Sequence, residues 1–159
     1  MKKFLVIMAV LMLICHVVYS QTSFSDGLSK AKSGGKKVII NIYCESDSWS
    51  QKMDKVYLND KISSIVNSTF VYVKLNGNGS EKISYAGKEY TASSLAKQFG
   101  ATGYPTHVIL NPDGSVISFI YNGERMGAFA GYLDASAFEN FLKYFAENKY
   151  KDTDLVKVL

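Results

Sequence analysis

The chain has very little thiol chemistry available to it. Cys15 and Cys44 are its two cysteines, and Cys15 lies in a segment that reads as removable. Lys2 and Lys3 precede an apolar run from Phe4 to Val18, shorter than the roughly 20 residues that a comfortable bilayer span requires. Val18, Tyr19 and Ser20 place a small residue ahead of Gln21. This is the pattern of a secretory leader over residues 1–20. Bulky Ile14 before Cys15 argues against lipid attachment there. Cys44 then stands as the one thiol of an exported chain, which excludes an internal disulfide. A packed thiol, an intermolecular bridge and a reactive monothiol all stay open.

Histidine is equally scarce. His16 falls in the leader and His107 is the other, so no His/Cys cluster of metal-ligand spacing exists and no metal or other cofactor is expected. Arg125 is the one arginine, and without Lys2 and Lys3 the formal charge of +4 falls to +2. Binding to nucleic acid needs a concentrated basic face. The densest basic group, Lys30, Lys32, Lys36 and Lys37, reads as a solvated helix end. No second long apolar run follows the leader, so no stable membrane insertion is expected after cleavage. Internal repeats and low-complexity segments are absent.

What remains is about 139 residues from Gln21 to Leu159, enough for one domain with a real core. Phe24, Leu28 and Ala31 recur at helical spacing, stopped by Gly34 and Gly35. Val38 to Tyr43 reads as a buried strand. Trp49, Met53, Val56 and Tyr57 mark a helix from Ser48 to Leu58. Asp60 is placed to cap a further helical stretch. Thr69 to Leu75 alternates as a strand, and the polar segment from Asn76 to Lys88 suits a loop or short hairpin. Thr91 to Phe99 reads as a helix closed by Gly100.

Tyr104 to Leu110 reads as a strand, turned at Asn111 to Gly114 into a returning strand from Val116 to Tyr121. Asp134 caps a last helix carrying Phe138, Phe141, Leu142 and Phe145. The spacing predicts one domain over 21–150 and a loose tail over 151–159. The element order implies an α/β fold with a central mixed sheet flanked by helices.

Two motifs carry a family resemblance. The sequence GATGYPTHVIL at 100–110 is followed by NPDGSVISF at 111–119, and VIINIYCESDSWS at 38–50 runs from a strand into a helix start. Over roughly Phe24 to Tyr150 the chain resembles the thioredoxin-like superfamily, especially exported bacterial members. In that family a strand leads into W-C-x-x-C at a helix N-terminus. A later G-x-x-G-x-P-T opens the next strand. Aligned without a gap, Ser46 takes the tryptophan position, Asp47 the first cysteine and Ser50 the second. The resemblance implies a cis bond before Pro105, and a groove of Trp49, Tyr104, Pro105 and Thr106 where an extended peptide could pair. It also implies a bacterial periplasmic or extracellular location and a protein or peptide partner in the envelope.

Thiol–disulfide exchange needs a thiolate at the helix N-terminus and a second thiol to resolve the mixed disulfide. Asp47 can do neither, but a carboxylate suits a helix start, and Ser48 to Gln51 fits a capping box. Asn41 stands where the family often has a buried proton-shuttling acid. The expectation is therefore a degenerate site and a polypeptide-binding module without dithiol chemistry. The alternative is a monothiol oxidoreductase or thiol-capture protein acting through Cys44, with glutathione or a partner cysteine. Asp47, Ser50 and His107 together spell an acid, nucleophile and base. Capping and a satisfied strand histidine account for them more simply, since a triad is defined by geometry. Trp49 either crests an exposed ridge or folds into the core; Arg125, Phe129 and Tyr132 either extend the groove or pack the last helix.

Overall fold

The computed structural model describes residues 22–159. The leader expected over 1–20 and its cleavage site lie outside the described residues. Ser23 caps the first helix (α1, Phe24–Gly34) by accepting from Asp26 N at 3.1 Å, and Gly35 ends it in the left-handed region at φ 63°. Gly27 lies where α1 crosses the sheet, and a Cβ there would collide with the side chain of Val73.

The first strand (β1, Lys37–Tyr43) is buried on both faces, as its continuous apolar run demands. Two helices follow, α2 (Ser48–Tyr57) and α3 (Asp60–Thr69), and then strand β2 (Phe70–Asn76). Asn59, not Asp60, caps α3, its Oδ1 accepting from Lys61 and Ile62 N–H; Asp60 is already the first helical residue. The polar insertion folds as a hairpin of β3 (Lys82–Tyr85) and β4 (Lys88–Thr91), and Thr91 with Ser94 forms a capping box for α4 (Ala92–Gln98).

Strand β5 (Thr106–Leu110) runs antiparallel to β1, with Asn41 opposite His107. The returning strand departs from expectation. Val116 makes an isolated bridge to Leu110, and Ile117 N donates to Ile109 O at 2.8 Å. The chain then leaves the edge because Phe119 turns into the core against Phe145, with ring centroids 5.4 Å apart. Residues 119–121 (β6) pair instead with Glu124–Met126 (β7), and Phe129–Ala130 (β8) takes the place beside β5. The central sheet of the described residues is therefore ordered β2-β1-β5-β8, with β2 parallel to β1 and the other pairings antiparallel.

Strand alternation sends β1 side chains into two layers. Ile39 joins Met53, Tyr57, Ile62, Phe138 and Phe141 under α2, α3 and the last helix, α5 (Ala135–Ala146). Val38, Ile40 and Ile42 join Phe24, Leu95 and Phe99 under α1 and α4. No helix of the described residues is long and apolar enough to cross a membrane.

The tail is not loose. Short 3-10 turns at Lys149–Lys151 and Leu155–Lys157 fold it back. Leu155 is fully buried in the α5-side core. The Asp154 carboxylate accepts from Asn122, Gly123 and Val156 N–H at 2.8–3.0 Å, locking the tail to the β6–β7 turn. The charged residues around Leu155 masked this anchor in the sequence pattern. Leu155→Ala is therefore expected to cost about 2–5 kcal/mol, read from the urea-unfolding midpoint. An unchanged midpoint would mean the tail is not part of the core.

Candidate functional site

The start of α2 is built from a short loop with its polar groups engaged. Asp47 is the N-cap: its backbone is extended (φ −87°, ψ 125°) and its Oδ2 accepts from Ser50 N at 2.6 Å. The cap is thus one residue earlier than Ser48, and no reciprocal capping box forms. Ser50 is buried and its Oγ reaches back to accept from Cys44 N at 3.2 Å. Asp47 N donates to Cys44 O at 3.1 Å, and Gln51 Nε2 donates to Glu45 O at 2.9 Å. Asp47 and Ser50 therefore close the helix start from both sides.

Cys44 sits beneath this loop, buried, its Sγ 3.2 Å from Ser46 Oγ and accepting from Asn78 Nδ2 at 3.1 Å. Asn78 Oδ1 in turn accepts from the Tyr104 hydroxyl at 3.0 Å. The Tyr104 ring lies so close to Gly77 that a Cβ there would collide with it. Burial raises the Tyr104 hydroxyl above its ordinary range, with Cys44 adding to the shift. The turn containing Gly77 and Asn78 thus links Tyr104 to the thiol, a connection no local sequence signal announces.

Asn41 and His107 face each other inside the α5-side layer, at 0% and 1% exposure. Asn41 Nδ2 donates to Tyr72 Oη at 3.3 Å, and the Tyr57 hydroxyl meets His107 Nδ1 at 3.1 Å. The imidazole packs against Tyr57, Phe138 and Phe141. Burial pushes His107 down to about 3, opposed only in part by the Gly131 backbone. It is a neutral base away from solvent. The acid–nucleophile–base grouping is not brought together: Asp47 caps, Ser50 serves Cys44 N, and His107 pairs with Tyr57.

Trp49 emerges from the first turn of α2 at 48% exposure. Tyr132 packs against it at 5.4 Å between centroids, and Lys52 Nζ stands 4.0 Å from its centroid. Tyr132 and Lys52 thus hold the ring in place, the latter through a cation–π contact. The Tyr104–Pro105 peptide bond is cis. Pro105 O accepts from Gly131 N at 2.8 Å, while the backbone N–H and C=O of Tyr104 have no hydrogen-bond partner among the described residues.

Of the four residues expected to line a groove, Trp49 and Tyr104 present surface. Pro105 and Thr106 are buried, and Thr106 Oγ1 is spent on Gly103 O at 2.7 Å, because a strand covered on both faces leaves them no outlet. Phe129 belongs to the core, Arg125 is exposed and donates to Ser118 Oγ, and Tyr132 packs on Trp49. Behind Tyr104, a shallow cleft is bordered by Gly77, Lys97, Thr102 and Gly103. Among the described residues no group of three or more His, Cys, Asp or Glu could hold a metal ion.

Comparisons with known proteins agree with this architecture. The sequence profile of the thioredoxin-like domain matches residues 24–146. A thioredoxin-fold protein from Helicobacter pylori is similar in structure, at 19% identity over 78% of this chain and 80% of that one, with a TM-score of 0.59. A thioredoxin from Thermus thermophilus is similar at 19% identity, 77% and 83% coverage, and a TM-score of 0.55. The DsbH oxidoreductase is similar at 17% identity, 79% and 82% coverage, and a TM-score of 0.53. These likenesses establish a shared fold. No curated protein matches the chain.

Two outcomes follow from the geometry. Asp47→Ala is expected to lower stability by about 1 kcal/mol in chemical denaturation, and Asp47→Ser by clearly less, since serine also caps. Second, the unfolded chain binds a proton at His107 near pH 6.5 and the folded chain only near about 3. Stability is therefore lost as pH falls below 6.5, with a slope reaching about 1.4 kcal/mol per unit. The window from pH 6.5 to 5 lies above the carboxylate range, where Asp113, Glu139 and Asp154 add losses of their own. Denaturation midpoints across that window should slope in the wild type and flatten in His107→Phe.

Proposed function

Because the chain belongs to the thioredoxin-like domain family, we propose that it uses this scaffold to hold an extended polypeptide and does not exchange disulfides. One observation carries the reading. At the start of α2, where an exchange thiolate would gain from the helix dipole and free N–H groups, Asp47 is the cap, and the chain's one nearby thiol is buried beneath it. A carboxylate cannot form a disulfide. Ser50, one turn further on, cannot resolve one. Asn41 offers no titratable group to a buried proton transfer.

The binding surface is supported from two sides. Trp49 exposes a large aromatic edge whose orientation is already set by Tyr132 and Lys52, so little rotamer entropy is lost on contact. Tyr104 offers a backbone donor and acceptor with no partner among the described residues, which suits the addition of a strand from a partner. The partner is proposed to be a protein or peptide of the compartment to which the leader over 1–20 would deliver the chain, the bacterial periplasm or the extracellular space. The oxidoreductase activity named for DsbH would come to this chain only through Cys44 as a monothiol, and its Sγ contacts with Asn78 and Ser46 are what a thiolate would use.

Three measurements separate these readings. Wild-type protein should show no turnover in insulin reduction, and turnover lost in Cys44→Ser would establish the monothiol reading instead. Cys44 should resist a thiol reagent in native protein and react at once after unfolding. In capture from the native envelope, Trp49→Ala and Tyr104→Ala should each lower partner affinity by roughly five- to thirtyfold, the cost of losing an interface anchor of 1–2 kcal/mol. Equal recovery with all three proteins would remove the proposed groove.

A further inference from the structure

The cleft behind Tyr104 holds about 130 Å³ between α4 and the loop that leads into β5, and its lining is chemically one-sided. Lys97 is the one charged side chain of that lining. It is exposed, and none of the ion pairs among the described residues involves it. The loop contributes the backbone N–H groups of Thr102, Gly103 and Tyr104. These three successive donors have no hydrogen-bond partner among the described residues. A Cβ placed on Gly103 would meet nothing within 4 Å, so the cleft is open there to an entering side chain.

The acceptors around these donors are largely spent. Ala96 O accepts from Ala101 N at 3.0 Å, Lys97 O from Gly100 N at 2.9 Å, and Gly103 O from the Thr106 hydroxyl at 2.7 Å. No Asp or Glu lines the cleft, and Glu81 turns toward Gly79 instead. A cation and a run of backbone donors therefore face a space without opposing charge. Successive backbone N–H groups are anion-binding elements, and a carboxylate accepts such bonds more strongly than a neutral oxygen does. We propose that this cleft is a subsite for the carboxylate side chain, Glu or Asp, of a bound polypeptide.

Tyr104 ties this subsite to the peptide-binding reading above, on which it rests. The same residue lines the cleft and offers its backbone to an added strand. Along such a strand successive side chains point to opposite sides. A residue next to the paired position is thus turned toward the cleft while its neighbours are turned away. The partner's chemistry is thereby narrowed to an extended segment with an acidic residue at that place.

Two titrations at constant ionic strength test the subsite. In NMR spectra of the ¹⁵N-labelled protein, sodium acetate should shift the amide resonances of Thr102, Gly103 and Tyr104 to saturation, and acetamide should not. Lys97→Gln should weaken acetate binding about two- to fivefold, the worth of an exposed ion pair, and Lys97→Glu should abolish it. Lys97 is exposed, so both variants should fold. Shifts that do not saturate, or that Lys97→Glu leaves unchanged, would overturn the proposal. The second titration uses N-acetylated, C-amidated peptide pools identical but for one central Glu or Gln. The Glu pool should bind about tenfold more tightly. Equal affinities refute the subsite and leave the peptide-binding surface standing. Binding by neither pool refutes that surface, and acetate then decides the cleft by itself. Equally tight binding by a pool with a free C-terminus and no Glu would overturn the assignment to a side chain.

Discussion

The start of α2 depends on a carboxylate and a hydroxyl that divide the work of ending a strand and beginning a helix. The first turn of any helix leaves N–H groups without intrahelical partners. Asp47 takes the Ser50 N–H, and Ser50 Oγ returns to take the N–H of Cys44. This pair of bonds sets the path from β1 into α2. It thereby places Cys44 below the surface and Trp49 above it. Both oxygens are acceptors already in use, one for the Ser50 N–H and the other for the Cys44 N–H.

Beneath that turn the core is unusually aromatic and carries a polar insert. Tyr57, Tyr72, Phe138 and Phe141 enclose Asn41 and His107. A charged histidine there would lose its hydration without gaining an anionic partner, which is why burial holds the ring neutral. The polar groups are not scattered. They occupy one register position of the β1–β5 pairing.

On the surface, Trp49 packs against Tyr132, and Tyr104 is partly exposed. Tyr104 is linked through Asn78 to the Cys44 thiol. The turn of Gly77 and Asn78 comes from the insertion after β2, a segment with no apolar pattern of its own. It nonetheless shapes the site by accommodating a tyrosine ring where any side chain at Gly77 would collide.

Local pattern was enough to find most of the elements. The apolar run of β1, the helical spacing of Trp49, Met53, Val56 and Tyr57, and the proline motif at 104–106 led to a mixed sheet with helices on both faces. They also led to Asp47 as an anion at a helix start, since periodicity and capping are encoded within a few residues. The pairing of strands was not legible in the same way. Phe119 left the β5 edge to meet Phe145, and β8 replaced it, a choice made by packing between segments distant in sequence. Leu155 reads as one apolar residue in a charged tail until the Asp154 carboxylate turns it into the core. The burial of Thr106, the hydrogen-bond chain from Tyr104 through Asn78 to Cys44, and the meeting of Asn41 with His107 are likewise tertiary facts. They depend on which side chains converge across the sheet, and nearest-neighbour chemistry along the chain carries no record of that.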